Sequence, residues 1–181
     1  QQLDSLALTN ATASGNQIDL SYGSAAAGDA FTVDLTYVLA APSADDSSIT
    51  ETINITNLTG GALDLHWFAY SDLDLNGSFG AVDTANLVAP GQILQSGALL
   101  SSIDVQVISG PLPDAHEIGL GGAIISRLND GDTDDLTSTP AQGVNVGPGD
   151  VTHAFQWDLN LAANGQAGDS VMIAMVKDGD L

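Results

Sequence analysis

The chain contains no cysteine, which excludes thiolate metal sites, covalently attached c-type haem, cysteine nucleophiles and disulfide staples. A domain of 181 residues can bury a core without a disulfide, so the absence leaves the compartment open. Basic residues are nearly as scarce. Arg127 and Lys177 stand alone against 23 acidic residues, a formal net charge of −21. Such a surface repels phosphate backbones and anionic lipid and attracts cations, so no nucleic-acid partner is expected. Long apolar runs are missing too. Val171 to Val176 is strand-sized, far short of the roughly 18 residues of a membrane helix, and no membrane insertion is expected. Glutamate occurs only at Glu51 and Glu117, whereas aspartate occurs 21 times. Aspartate suits turns and strand ends, because its short side chain bonds nearby backbone, so the skew points to loops and strands.

What is present alternates with period two. Gln17 to Tyr22, Phe31 to Val38 and Ile49 to Thr56 each set apolar or aromatic residues against polar ones, as half-buried strands do. Thr59-Gly60-Gly61 predicts a hairpin turn into Leu63 to Tyr70. Ile103 to Ile108, Val151 to Leu161 and Ser170 to Val176 complete the clear strands, and a short helix competes only at Ile118 to Leu128, weakened by Gly119, Gly121 and Gly122. The expectation is all-β: one β-sandwich domain over 1–181, jelly-roll-like, of about ten strands. Leu3 to Thr9 also reads as a strand, followed by a soft loop, Asn10 to Asn16. Residues 1–16 are therefore expected to be either an ordinary first strand or an exchangeable strand on a tether.

Two stretches carry a resemblance. The first runs from Ile53-Asn54-Ile55-Thr56-Asn57 through Phe68-Ala69-Tyr70-Ser71-Asp72-Leu73-Asp74-Leu75. The second runs from Leu128-Asn129-Asp130-Gly131 through Gly147-Pro148-Gly149-Asp150-Val151-Thr152-His153-Ala154-Phe155-Gln156-Trp157 to Leu159. Together they resemble secreted bacterial proteins of the PEP-CTERM sorting-domain type. The resemblance implies export with surface display or a biofilm-matrix role, and no catalysis. The chain departs from that pattern by ending Lys177-Asp178-Gly179-Asp180-Leu181, without the sorting tail. Its start, Gln1-Gln2-Leu3 without Met, suits a mature chain whose leader was removed.

Two acidic loops are the metal candidates. Asp72-Leu73-Asp74-Leu75-Asn76-Gly77 matches the opening of a D-x-D-x-N-G calcium loop, with Asp83 at the twelfth position. The plainer reading is a strand with outward aspartates ending in an Asn-Gly turn. Asp130, Asp132, Asp134 and Asp135 crowd a second loop, where carboxylates repel unless solvated or bridged by a cation. A solvated loop is the plainer reading there, and calcium is the candidate cofactor at both.

His116-Glu117 lacks the second histidine of a zinc helix, and no nucleophile elbow, phosphate loop or dinucleotide turn occurs, so no enzyme is expected. His66, His116 and His153 read as strand or loop residues with local hydrogen bonds. Trp67, Phe68, Tyr70, Phe155 and Trp157 read as core, with a sugar-stacking platform as the alternative. Sequons at Asn10, Asn54, Asn57 and Asn76 arise readily in such a Thr- and Asn-rich chain. The combined expectation is an extracellular or cell-surface structural protein that partners itself as a homo-oligomer or filament, forming a sheath or biofilm matrix by strand exchange. The alternative is a calcium-dependent module that binds surface glycan in adhesion.

Overall fold

The computed structural model describes residues 3–41, 43, 46–75, 83–97, 101–129 and 135–180. After a 3-10 turn at Leu3–Ser5 come β1 (Leu8–Ser14), β2 (Gln17–Tyr22), β3 (Phe31–Ala40), β4 (Asp46–Asn57), β5 (Leu63–Asp72), β6 (Asp83–Ala89), β7 (Gln92–Ser96), β8 (Ser102–Ser109) and β9 (Ala115–Leu120). The helix α1 (Ala123–Leu128) precedes β10 (Val146–Gly149), β11 (Val151–Leu161) and β12 (Ser170–Asp180). The protein is all-β and sandwich-like; the described residues form one antiparallel sheet of nine strands and one of three. Among the described residues twelve strands stand where about ten were expected. The addition comes mainly from the short β6, β7 and β10: in β6 and β7 the polar Asp83 and Gln95 take buried positions, and β10 is Val-Gly-Pro-Gly, so apolar character does not mark the strand.

The chain divides into two compact units, residues 1–65, 107–111 and 159–176 in the first and 66–106, 112–158 and 177–181 in the second. In the first, β1 to β4 form an antiparallel meander. The register pairs Leu20 with Leu35, Leu35 with Ile53 and Val33 with Ile55, stacking β-branched and leucine side chains on one face. Val33, Leu35, Ile53 and Ile55 are buried there. The opposite face is polar, in rows such as Thr12–Asp19–Thr36–Thr52 and Asn10–Ser21–Asp34–Asn54. Hydrogen bonds from Thr36 and Gln17 hold the Asp19 carboxyl below its usual range.

Two expectations fail in this unit. The predicted strand Leu3 to Thr9 and loop Asn10 to Asn16 are shifted. The strand is Leu8–Ser14, closed onto β2 by the two-residue turn Gly15-Asn16. Gly15 takes φ +60°, the left-handed value that suits glycine in such hairpins. The turn is tied to β3, where Asn16 Nδ2 donates to Leu39 O at 2.6 Å and Leu39 N–H donates to Asn16 O at 2.9 Å. The predicted hairpin through Thr59-Gly60-Gly61 is not one, since β4 belongs to the nine-stranded sheet and β5 to the other. The cause is Asn57, fully buried. Its Oδ1 accepts from the Thr59 N–H and hydroxyl, both at 2.8 Å, and its Nδ2 donates to Gly61 O at 2.8 Å and Ala162 O at 2.7 Å. This Asx-type turn carries the chain out of the sheet instead of back alongside β4.

In the second unit β8-β7-β6-β10 lie in order in one sheet and β5-β11-β9 form the other. Every residue of β11 from Val151 to Trp157 is buried, so both its faces are covered. Phe155 and Trp157 lie edge-to-face on one side, ring centres 6.0 Å apart. On the other side Ala154 packs with Ile124 of α1 and Leu136, joined by Phe68, Tyr70, Ala115 and Leu128. The helix competition foreseen at Ile118 to Leu128 resolves at the Gly121-Gly122 turn, with strand before it and helix after. Glu117 anchors the segment beyond α1. Burial pushes its pKa up, but hydrogen bonds from the Thr137 N–H (3.0 Å) and hydroxyl (2.9 Å), with the Arg127 guanidinium, hold it below its usual value.

Candidate functional site

The nine-stranded sheet ends on β1, and all seven residues of β1 are exposed. Among the described residues no strand pairs with its outer edge, which offers backbone groups over about 24 Å at the usual strand rise. Natural edges are guarded by charge, proline or brevity. The other sheet edges follow that rule. β10 has four residues and includes Pro148, β5 carries Asp64, His66 and Asp72, and β9 carries His116 and Glu117. β1 is Leu-Thr-Asn-Ala-Thr-Ala-Ser, and residues 5–18 hold no charge in a chain of −21. A register shift between Leu8 and Asn10 disturbs only its start, leaving Asn10–Ser14 regular.

The face beside this edge is apolar beyond the core. The side that is buried at Leu35 and Ile53 continues past Tyr37 to Ile18, Leu39 and Ile49, which are 48%, 50% and 42% exposed. The Tyr37 hydroxyl donates to Glu51 at 2.9 Å within this strip. Burial, then the Glu51 charge, raises the Tyr37 pKa, so the phenol stays a neutral donor.

A second constellation lies on β5 and β11. His66 Nδ1 is 2.8 Å from Asp158 Oδ1 and 3.3 Å from Asp135 Oδ1. Gln156, 1% exposed, donates through Nε2 to Asp158 Oδ1 at 2.7 Å and to Asp135 Oδ1 at 2.8 Å. Its Oε1 accepts the Leu136 N–H at 2.7 Å, which fixes the amide with nitrogen toward the carboxylates. The Asp158 N–H donates to Asp114 Oδ2 at 2.8 Å, and His66 stacks on Phe68. One nitrogen and two carboxylate oxygens converge as ligands of a divalent metal would. The Gln156 amide already stands where those oxygens meet, so its two protons do the bridging otherwise asked of a cation. The cluster pins the 135–136 segment to β11.

No family model matches the chain, and no curated protein does. Among solved structures, a heparinase III with methylated lysines is similar at 11% identity and a TM-score of 0.41, over 96% of this chain and 21% of that one. The chain thus spans about one fifth of that protein.

Of the residues foreseen as metal ligands, Asn76, Asp130, Asp132 and Asp134 lie outside the described residues. Asp135 joins His66 and Asp158, a grouping in which the last two were not foreseen. The available signal was polar residues two apart in otherwise apolar strands, Asp64-x-His66 and Gln156-x-Asp158-x-Asn160. Asp72 and Asp74 are exposed, Asp83 is buried, and among the described residues these three do not converge. Asp83 Oδ2 accepts from the Leu75 N–H at 3.1 Å and from Gln95 Nε2 at 3.1 Å. Phe155 and Trp157 are core, which removes them from any sugar-stacking platform, and the buried Asn57 is no glycan acceptor. Among the described residues no helix is long and apolar enough to cross a membrane.

Proposed function

We propose that this chain is an extracellular structural protein that associates with further copies of itself edge to edge through β1, as a subunit of a filament, sheath or matrix. The carrying observation is the uncovered, uncharged edge of β1 in a chain otherwise dense in carboxylates. Antiparallel pairing of two β1 strands places like surfaces against each other about a two-fold axis, so one mutation alters both sides of the contact. The strip of Ile18, Leu39 and Ile49 adds apolar area beside the new ladder. Edge addition is favoured over strand exchange, because exchange requires opening the Gly15-Asn16 hairpin and its bonds to Leu39. One isologous edge produces a dimer, and a filament needs a second contact of the dimer.

Light scattering coupled to size exclusion, run from micromolar to near-millimolar protein, tests this. The wild type is expected to dimerise or grow, and Ala11→Lys with Ala13→Lys to stay monomeric at unchanged stability. A wild type that is monomeric throughout defeats the proposal, and so does a variant that associates equally well.

A further inference from the structure

We infer that Asp83, the first residue of β6, and Gln95, in β7, form the floor of a site for one oxygen-seeking divalent cation of the calcium type. Asp83 is 6% exposed and Gln95 fully buried. Gln95 Nε2 donates to Leu73 O at 2.5 Å and to Asp83 Oδ2 at 3.1 Å. Both amide protons are thereby used, so the amide cannot turn over without losing them. The Leu75 N–H takes the same Asp83 oxygen. What remains is an imbalance: Asp83 Oδ1 and Gln95 Oε1 are buried acceptors with no donor. A carboxylate oxygen and an amide oxygen left bare in a dry interior, on two side chains that are hydrogen-bonded to each other, are costly, and native structures leave few such groups unsatisfied. Hard cations take oxygens of these two types.

The sequence around them adds an independent argument. Asp83 is the twelfth position counted from Asp72 in a stretch that opens Asp72-Leu73-Asp74-Leu75-Asn76-Gly77. In calcium loops the twelfth position supplies the carboxylate that closes the site. Here it turns inward, and its carboxylate is the one left half used. The exposed Asp72 and Asp74 supply negative charge along the same stretch. Neither basic side chain is assigned there, since Arg127 is paired with Glu117 and Lys177 lies on β12. The His66 cluster is a poorer host, because its carboxylates already meet the Gln156 amide.

Calorimetric titration of chelator-treated protein with calcium chloride alone decides the matter, with thermal unfolding as second readout. The expected result is one saturable site per chain and a calcium-dependent rise in Tm. Both are lost in Asp83→Asn, and affinity is weakened about threefold or more in Asp72→Asn with Asp74→Asn, which removes two exposed charges flanking the backbone groups of Leu73 and Leu75 that bond Gln95 and Asp83. The exposed pair keeps the test decisive if Asp83→Asn fails to fold. Absence of saturable binding by the wild type overturns the inference, as does undiminished binding by both variants, which would leave the two oxygens to an ordered water. Binding that disappears instead in Asp135→Asn with Asp158→Asn also overturns it, by moving the cation to the His66 cluster. None of these readouts depends on self-association, so either idea can fail alone.

Discussion

Asn57 and His153 are both polar and buried, and they do opposite things to stability. Asn57 uses its side-chain oxygen and nitrogen together, on Thr59, Gly61 and Ala162, so its burial holds a corner together. Asn57→Ala leaves those backbone groups without partners, and a loss of about 2 to 3 kcal/mol is expected in urea unfolding. His153 is 1% exposed and neither ring nitrogen has a partner. Burial first, then the Lys177 charge, pushes its pKa from 6.5 down to about 4. The folded value lies below the unfolded one, so the unfolded chain binds the proton more readily between those two values. The stabilisation is complete above pH 6.5, declines as pH falls toward 4, and levels off below that. A shift of this size corresponds to about 3 kcal/mol. His153→Leu should flatten this part of the stability profile, measured as the difference between wild type and variant at matched pH so that the carboxylates cancel. A variant profile as steep as the wild type would show that His153 does not carry the dependence.

At the scale of elements, period-two alternation was the reliable signal. Phe31 to Val38 and Ile49 to Thr56 fall within β3 and β4, because the alternating Val33, Leu35, Ile53 and Ile55 admit one register against a buried face. The failures come from side chains acting at a distance along the chain. Nothing local in Asn57-Leu58-Thr59-Gly60-Gly61 separates a hairpin from a corner, since the deciding partner is Ala162, more than a hundred residues away. The His66 cluster was legible only in part, through Asp135. Its other members sit on two strands whose pairing no short stretch reveals, and Gln156 looked like one more polar position. The full burial of β11 likewise depends on α1, whose Ile124 reaches the far face of the sheet. Ile124→Ala should cost about 2 to 4 kcal/mol by chemical denaturation. Ile18→Ser with Leu39→Ser removes apolar side chains from half-exposed positions and should shift stability by under about 0.5 kcal/mol per site. That pair should instead weaken self-association, which light scattering reads directly, and equal effects on stability from both variants would place the strip in the core.

For the whole molecule, the charge of −21 and the neutral edge act against each other. Two copies approaching through β1 bring no opposite charges together, because residues 5–18 have none to offer, while the remaining carboxylates of both chains repel. That repulsion is long-ranged and screened by salt, with a Debye length of about 10 Å at 0.1 M ionic strength. Backbone hydrogen bonds and apolar contact at the edge are short-ranged and little affected. Added sodium chloride should therefore strengthen association, and most steeply at low ionic strength, where the repulsion still reaches past the contact. The opposite slope, dissociation with salt, would mean that charge pairs hold the copies together and would move the interface away from β1. Calcium separates the two cation effects. A site at Asp83 saturates at one ion per chain and raises Tm in the monomeric Ala11→Lys, Ala13→Lys variant as well, whereas general screening of the acidic surface promotes association only where the edge is intact. Light scattering and thermal unfolding of wild type and edge variant, in sodium chloride and in calcium chloride at matched ionic strength, distinguish a bound ion from a screened surface.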